Sequence, residues 1–201
     1  AYSVIMLVGA RILRKPPEGW EPEGWVPPAD VVGDPAKQGL TRNEALRTVQ
    51  FYLLWAILFI NVTAGIGILA QASPMMQDLF RKTPVEAAAV VSIISLFNAG
   101  GRLFWASLSD FIGRRNTYTL FFVVQFALFL VIPRLAAAQN WGWFETSLLI
   151  VFTMYGGGFS TIPAFLADLF GPRYVGAIHG VVLTAWSAAA VAGPVIITQL
   201  S

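Results

Sequence analysis

Five stretches of this chain are long enough to cross a lipid bilayer and carry almost no formal charge. Thr48–Ala70, Asn116–Pro133 and Thr146–Ala167 carry none, Ala87–Ser109 carries Arg102 alone, and Tyr174–Ser201 carries only His179. A helix needs about 20 predominantly apolar residues to cross about 30 Å of hydrocarbon. Buried helices of a soluble domain do not run so long without charge. Of the 201 residues 56% are hydrophobic and 12% charged, against roughly a quarter charged in an ordinary soluble domain. The expected fold is therefore all-α, a polytopic transmembrane helix bundle lying in a lipid bilayer.

The polar breaks set the order of crossing. Ser73–Pro84 is expected to be an external loop, Asp110–Arg115 an internal one, Arg134–Glu145 external and Gly171-Pro172-Arg173 a tight internal turn. Trp141 and Trp143 suit the headgroup zone, where indole is comfortable. Connections this short make neighbouring spans antiparallel partners in one bundle. With the stretch before residue 48 placed in the cytoplasm, nine basic residues fall inside (Arg11, Arg14, Lys15, Lys37, Arg42, Arg47, Arg114, Arg115, Arg173) and three outside (Arg81, Lys82, Arg134). That is the positive-inside asymmetry. The net charge of +2 does not indicate nucleic acid, because the basic residues sit between spans and do not interleave with aromatics on one surface. The chain has no cysteine, which removes disulfides and thiolate metal sites.

Residues 14–47 are the one long hydrophilic stretch and hold Pro16, Pro17, Pro22, Pro27, Pro28 and Pro35, half of the 12 prolines. Such a composition cannot form a packed core and is expected to be a cytoplasmic linker. Within it Thr41-Arg42-Asn43-Glu44 resembles a capping box opening a surface turn that runs into the first full span. Ala1–Leu13 resembles the last turns of a span cut in the middle, so the chain is expected to be a fragment.

The most informative run is Gly101-Arg102-Leu103-Phe104-Trp105-Ala106-Ser107-Leu108-Ser109-Asp110-Phe111-Ile112-Gly113-Arg114-Arg115. It ends on Asp110-x-x-Gly113-Arg114-Arg115, where a span leaves the membrane on the basic side. A carboxylate at a helix end can hold the arginines of the turn, and glycine permits the tight reversal. This run resembles the signature of the major facilitator superfamily. The resemblance implies two six-helix halves with a substrate held between them near the midplane. It places residues 1–13 as the end of span six, 14–47 as the inter-half linker and 48–201 as spans seven to eleven. The chain is then most of a C-terminal half, partnered by a missing N-terminal half.

Three further runs, Phe59–Gly67, Asn98–Arg102 and Ala177–Gly180 continuing through Leu183–Ser187 to Gly193-Pro194, look like the oxalate/formate antiporter family, a bacterial carboxylate branch related to monocarboxylate porters. That likeness implies a small carboxylate substrate and the bacterial inner membrane.

Arg102 is the only permanent charge well within a span. Its insertion costs at least about 2.5 kcal/mol, so it should face protein, water or a partner, and its donors match a carboxylate. The alternative is that it snorkels or pairs structurally with Asp110. The family resemblance implies substrate binding by Arg102 and by Tyr155. His179 is either a packing residue or a proton-binding second cation; where oxalate exchangers of the family carry a lysine, this chain has Ala177. One fixed cation suits a monocarboxylate better than a dianion. Gly156-Gly157-Gly158 and Pro163 suit close helix packing or a gate. Asn98 and Asn61 are ligands or interhelical hydrogen bonds, Gln125 is read as a hydrogen bond, and Trp186 either walls the cavity or packs. Asp168 resembles the acidic residue that joins Asp110 and Arg114, making a latch with Gly113 and Arg115; an inconsequential surface pair is its alternative.

No nucleophile, metal cluster or phosphate loop stands out, so neither an enzyme nor a cofactor is expected. The leading expectation is a secondary carrier of formate-, oxalate- or lactate-like anions, by exchange or proton-linked symport. An accessory or scaffold subunit derived from such a carrier, and a carrier of an unrelated solute, remain as rivals.

Overall fold

A computed structural model of the chain describes residues 39–200 together with Val8, Arg11 and Ile12. The chain divides into two units, residues 1–37 and 38–201. In the first, only those three residues are described, each helical and exposed. The rest of the truncated span expected over 1–13 and most of the linker expected over 14–47 therefore lie outside the described residues.

The described residues of the second unit are helices joined by short turns. A short helix α1 (Arg42–Ala45) precedes α2 (Val49–Phe80), α3 (Pro84–Ile112), α4 (Arg114–Ala137), α5 (Trp141–Phe170), α6 (Val175–Val182) and α7 (Thr184–Leu200). Helices α2 to α5 and the α6–α7 pair make five segments long and apolar enough to cross a membrane. Large side chains such as Leu103, Phe111 and Phe126, 77%, 87% and 68% exposed, point away from the bundle. In water these would be a liability, whereas lipid is their natural contact.

Local chemistry sets the helix starts. Thr41 and Glu44 form the expected capping box, with the Glu44 carboxylate accepting from the Thr41 N–H and hydroxyl at 2.8 and 2.7 Å. The Thr41 hydroxyl, and then its backbone N–H, hold Glu44 below the usual carboxylate range. The turn does not run on into the first span as expected, because Thr48 opens a second helix by accepting from the Phe51 N–H. A second capping box, Thr83 with Glu86 behind Pro84 at the first helical position, starts α3; its Thr-Pro-Val-Glu sequence is as explicit as the first.

Two expected external loops are largely helix. Residues 73–80 continue α2 through Pro74, and residues 134–137 continue α4 beyond Pro133. Burial outweighs the prolines: Ala72 and Met76 are fully buried, and Phe80 packs on Trp141 and Phe144 with centroids 5.0 and 4.7 Å apart. The internal loop expected at 110–115 shrinks to Gly113, whose φ of 84° lies in the region glycine favours.

The closest pairs are not neighbours in sequence. Helix α5 is the most buried and lies along α3, while α2 lies along α7. Because five crossings joined by short turns alternate in direction, each of these pairs runs parallel. Glycine makes the approach possible. A Cβ built at Gly101 would stand 2.2 Å from the Thr153 carbonyl oxygen, and one at Gly193 would stand 3.0 Å from that of Thr63.

Candidate functional site

Arg102 stands in the body of α3, and its backbone is fixed by α5. Ser160 Oγ donates to the Arg102 carbonyl at 2.8 Å, beside the Gly101–Thr153 approach. The Arg102 side chain is exposed, and among the described residues no carboxylate pairs with it. Asp110, the structural partner considered from sequence, is bound to Arg114 instead. What Arg102 does touch is the Phe159 ring, with the guanidinium carbon 5.5 Å from its centroid. Tyr155 meets that ring edge-on at 5.5 Å and 83°, and Trp186 at 5.8 Å and 84°.

Three of the five expected ligands, Arg102, Tyr155 and Trp186, are thus brought together from α3, α5 and α7. Phe159, which joins them, was not singled out from sequence. Its signal was its place one helical turn after Tyr155 on the same face. The Tyr155 ring is buried and occupies space left by Gly65 of α2, where an added Cβ would come within 2.2 Å of it. Gly156, Gly157 and Gly158 likewise receive Asn98, Trp105 and Asn61, which is close packing in an unbroken helix.

Asn98 lies one turn before Arg102 and packs on Gly156; its Oδ1 is buried without a hydrogen-bond partner. It borders the cluster and does not join its ring contacts. His179 sits on α6, separated from Trp186 by the turn at Leu183, with its Nδ1 buried and unbonded. Among the described residues no hydrogen bond or ring contact links it to Arg102, Tyr155 or Trp186. The proton-binding role considered for His179 therefore has no direct contact with these three side chains behind it. Gln125 donates to Asn61 Oδ1 at 3.0 Å across α4 and α2, as an interhelical bond. Tyr118 adds another, donating to the Gly158 carbonyl at 2.7 Å. An apolar groove lined by Ile60, Ala64, Phe122 and Phe126 opens between α2 and α4; it holds no charged group and lies apart from Arg102.

At the basic end of α3, Arg114 meets two of the residues expected in the latch, Asp110 and Asp168. Its guanidinium donates to Asp110 and to Ser109 Oγ, and its Nε lies 3.4 Å from Asp168 of α5. Ser109, buried and hydrogen-bonded there, was missed from sequence. Gly113 provides the reversal that turns Arg114 back onto α3. Arg115 is exposed and, among the described residues, in no ion pair. Among the described residues no cluster of His, Asp or Glu is placed to hold a metal ion.

Comparison with known proteins gives the context of this site. Residues 1–194 match the Major Facilitator Superfamily profile. The chain is 33% identical over 151 residues to the oxalate:formate antiporter of Oxalobacter formigenes, covering 75% of this chain and 36% of that protein. It is 28% identical over 142 residues to an uncharacterized MFS-type transporter of Escherichia coli (strain K12), covering 71% and 35%. It is also 28% identical over 156 residues to apicoplast pyruvate carrier 1 of Toxoplasma gondii, covering 70% and 28%. The chain thus spans 28% to 36% of the length of these relatives.

Proposed function

The chain belongs to the Major Facilitator Superfamily, and from that premise we propose that the protein is a secondary active transporter of small organic anions working by alternating access. The observation that carries the substrate class is an arginine within a membrane span that is exposed and has no carboxylate partner among the described residues. A guanidinium left so is costly in a membrane and is relieved by an incoming anion. Two relatives are named for such solutes, one for oxalate and formate and one for pyruvate. With one fixed cation in the cluster, a monocarboxylate such as formate or lactate is favoured over a dianion.

In this reading Arg102 binds the carboxylate, Tyr155 donates its hydroxyl to it, and Trp186 walls the cavity. Asn98 borders the site, His179 on α6 supplies a proton site apart from the ring cluster, and the other half of the carrier completes the cavity. Anion binding neutralises Arg102 and lowers the cost of dehydrating the cavity, which favours closure. The Asp110, Gly113, Arg114, Arg115 and Asp168 region forms a cytoplasmic latch that parts and re-forms as the halves rock. The protein lies in a bacterial inner membrane with residues 14–47 in the cytoplasm, as the distribution of basic residues supports.

The test is uptake of labelled formate, lactate and oxalate by the complete protein in liposomes, with and without Arg102→Gln. Uptake should fall by at least about tenfold, the loss expected when one charge-assisted carboxylate contact of about 1.5–3 kcal/mol is removed. Uptake unchanged by Arg102→Gln would exclude the carboxylate site, and no uptake of any anion would favour a scaffold role or a different solute.

A further inference from the structure

We propose that Phe159 is the positioning residue that holds Arg102 ready for its anion. Arginine is a long side chain, and one standing alone in a cavity would have to be ordered by each substrate as it binds. Here the guanidinium lies over the Phe159 ring at 5.5 Å, within the distance at which a cation is attracted to an aromatic face. That attraction uses the ring's π-surface and leaves guanidinium donors available for a carboxylate.

The ring can serve as a support only if it is itself immobile. Phe159 is gripped edge-on by Tyr155 from its own helix and by Trp186 from α7. Tyr155 is in turn seated against Gly65 of α2. The remaining anchor is the main chain, since Ser160, next to Phe159, bonds the carbonyl of Arg102 itself. Backbone and side chain of Arg102 are therefore both referred to consecutive residues of α5. Other side chains near Arg102 cannot do this: Asn98 is turned to Gly156, and Asp110 is committed to Arg114.

The effect on anion affinity rests on the carboxylate-carrier reading above, whereas the hold on Arg102 does not. The experiment therefore has two readouts on the complete protein in liposomes, for wild type, Phe159→Leu and Phe159→Tyr. The first is the KM and maximal rate of formate and lactate uptake. The second is the rate at which phenylglyoxal modifies Arg102, followed by mass spectrometry of the peptide that contains it. Leucine keeps the apolar bulk and removes the π-face. It should raise KM about tenfold, the equivalent of about 1.4 kcal/mol, leave the maximal rate within about twofold, and speed Arg102 modification. Tyrosine keeps the face and should restore both values. Arg102 modified at the wild-type rate in Phe159→Leu, or Phe159→Tyr as impaired as Phe159→Leu, would overturn the assignment. If the wild type transports neither anion, the carboxylate reading falls, and the modification rates still decide whether Phe159 holds Arg102.

Discussion

Arg114 shows how unequally an ion cluster divides its cost. Its side chain is 15% exposed, while those of Asp110 and Asp168 are 62% and 58% exposed. Each carboxylate is well solvated and loses little when its partner goes, whereas the guanidinium is largely covered and depends on them. Asp110→Asn and Asp168→Asn should therefore each shift stability by about 1 kcal/mol or less. The double variant should cost more than the sum, because it leaves the covered cation with only Ser109. Thermal unfolding of the two single variants and the double variant in one detergent checks this; strict additivity would show that the three groups do not act as a unit.

At the scale of the helix, adjacent glycines of α3 make the contrast between close approach and open space measurable. Gly101 faces Thr153 at backbone distance, while an added Cβ at Gly100 meets nothing within 4 Å. Alanine at Gly100 should stabilise by about 0.5–1 kcal/mol, since glycine is a poor helix former where nothing requires it. Alanine at Gly101 must part α3 from α5, with a cost of about 1–3 kcal/mol from overpacking. The melting temperatures of these variants should move in opposite directions. Because Gly101 adjoins Arg102, its replacement should also weaken anion uptake, and a Gly101→Ala protein with unaltered uptake and melting would mean that this seam does not set the position of Arg102.

Across the bundle, α4 is the least buried of the spans and depends on polar ties more than its neighbours do. Gln125 binds Asn61 of α2, and Tyr118 binds the carbonyl of Gly158 on α5. Both ties meet near Gly158, whose missing Cβ leaves room for the Asn61 amide. Gln125→Leu strands that amide inside the bundle, and should cost about 1–3 kcal/mol. Replacing Asn61 by Leu as well should recover part of the loss, since neither half of that tie is then left as an unpaired polar group. Chemical denaturation of the two variants in micelles measures the difference. A single variant as stable as the wild type would show that α4 is held by apolar packing alone.

The number of crossings, their sequence limits to within a turn or two except at the end of α2, and the run from Arg102 to Arg115 were legible because each depends on local composition. A stretch without charge, a Thr-x-x-Glu box or a glycine at a reversal acts over a few residues wherever it stands. The continuation of α2 through Pro74 and of α4 through Pro133 was not legible, since proline argues for a break and, at Pro74, only the burial of Ala72 and Met76 and the packing of Phe80 on α5 outweigh it. Nor was the parallel pairing of α3 with α5 and α2 with α7. A span that meets protein on one side and lipid on the other is apolar on both, so the periodicity that reveals the buried face of a soluble helix is faint. The sequence alone determined that an arginine stands within a span; only the tertiary structure decided that Phe159 lies beneath it, that Asp110 is engaged elsewhere and that His179 stands apart, because those relations are set by interhelical packing among residues distant in the chain.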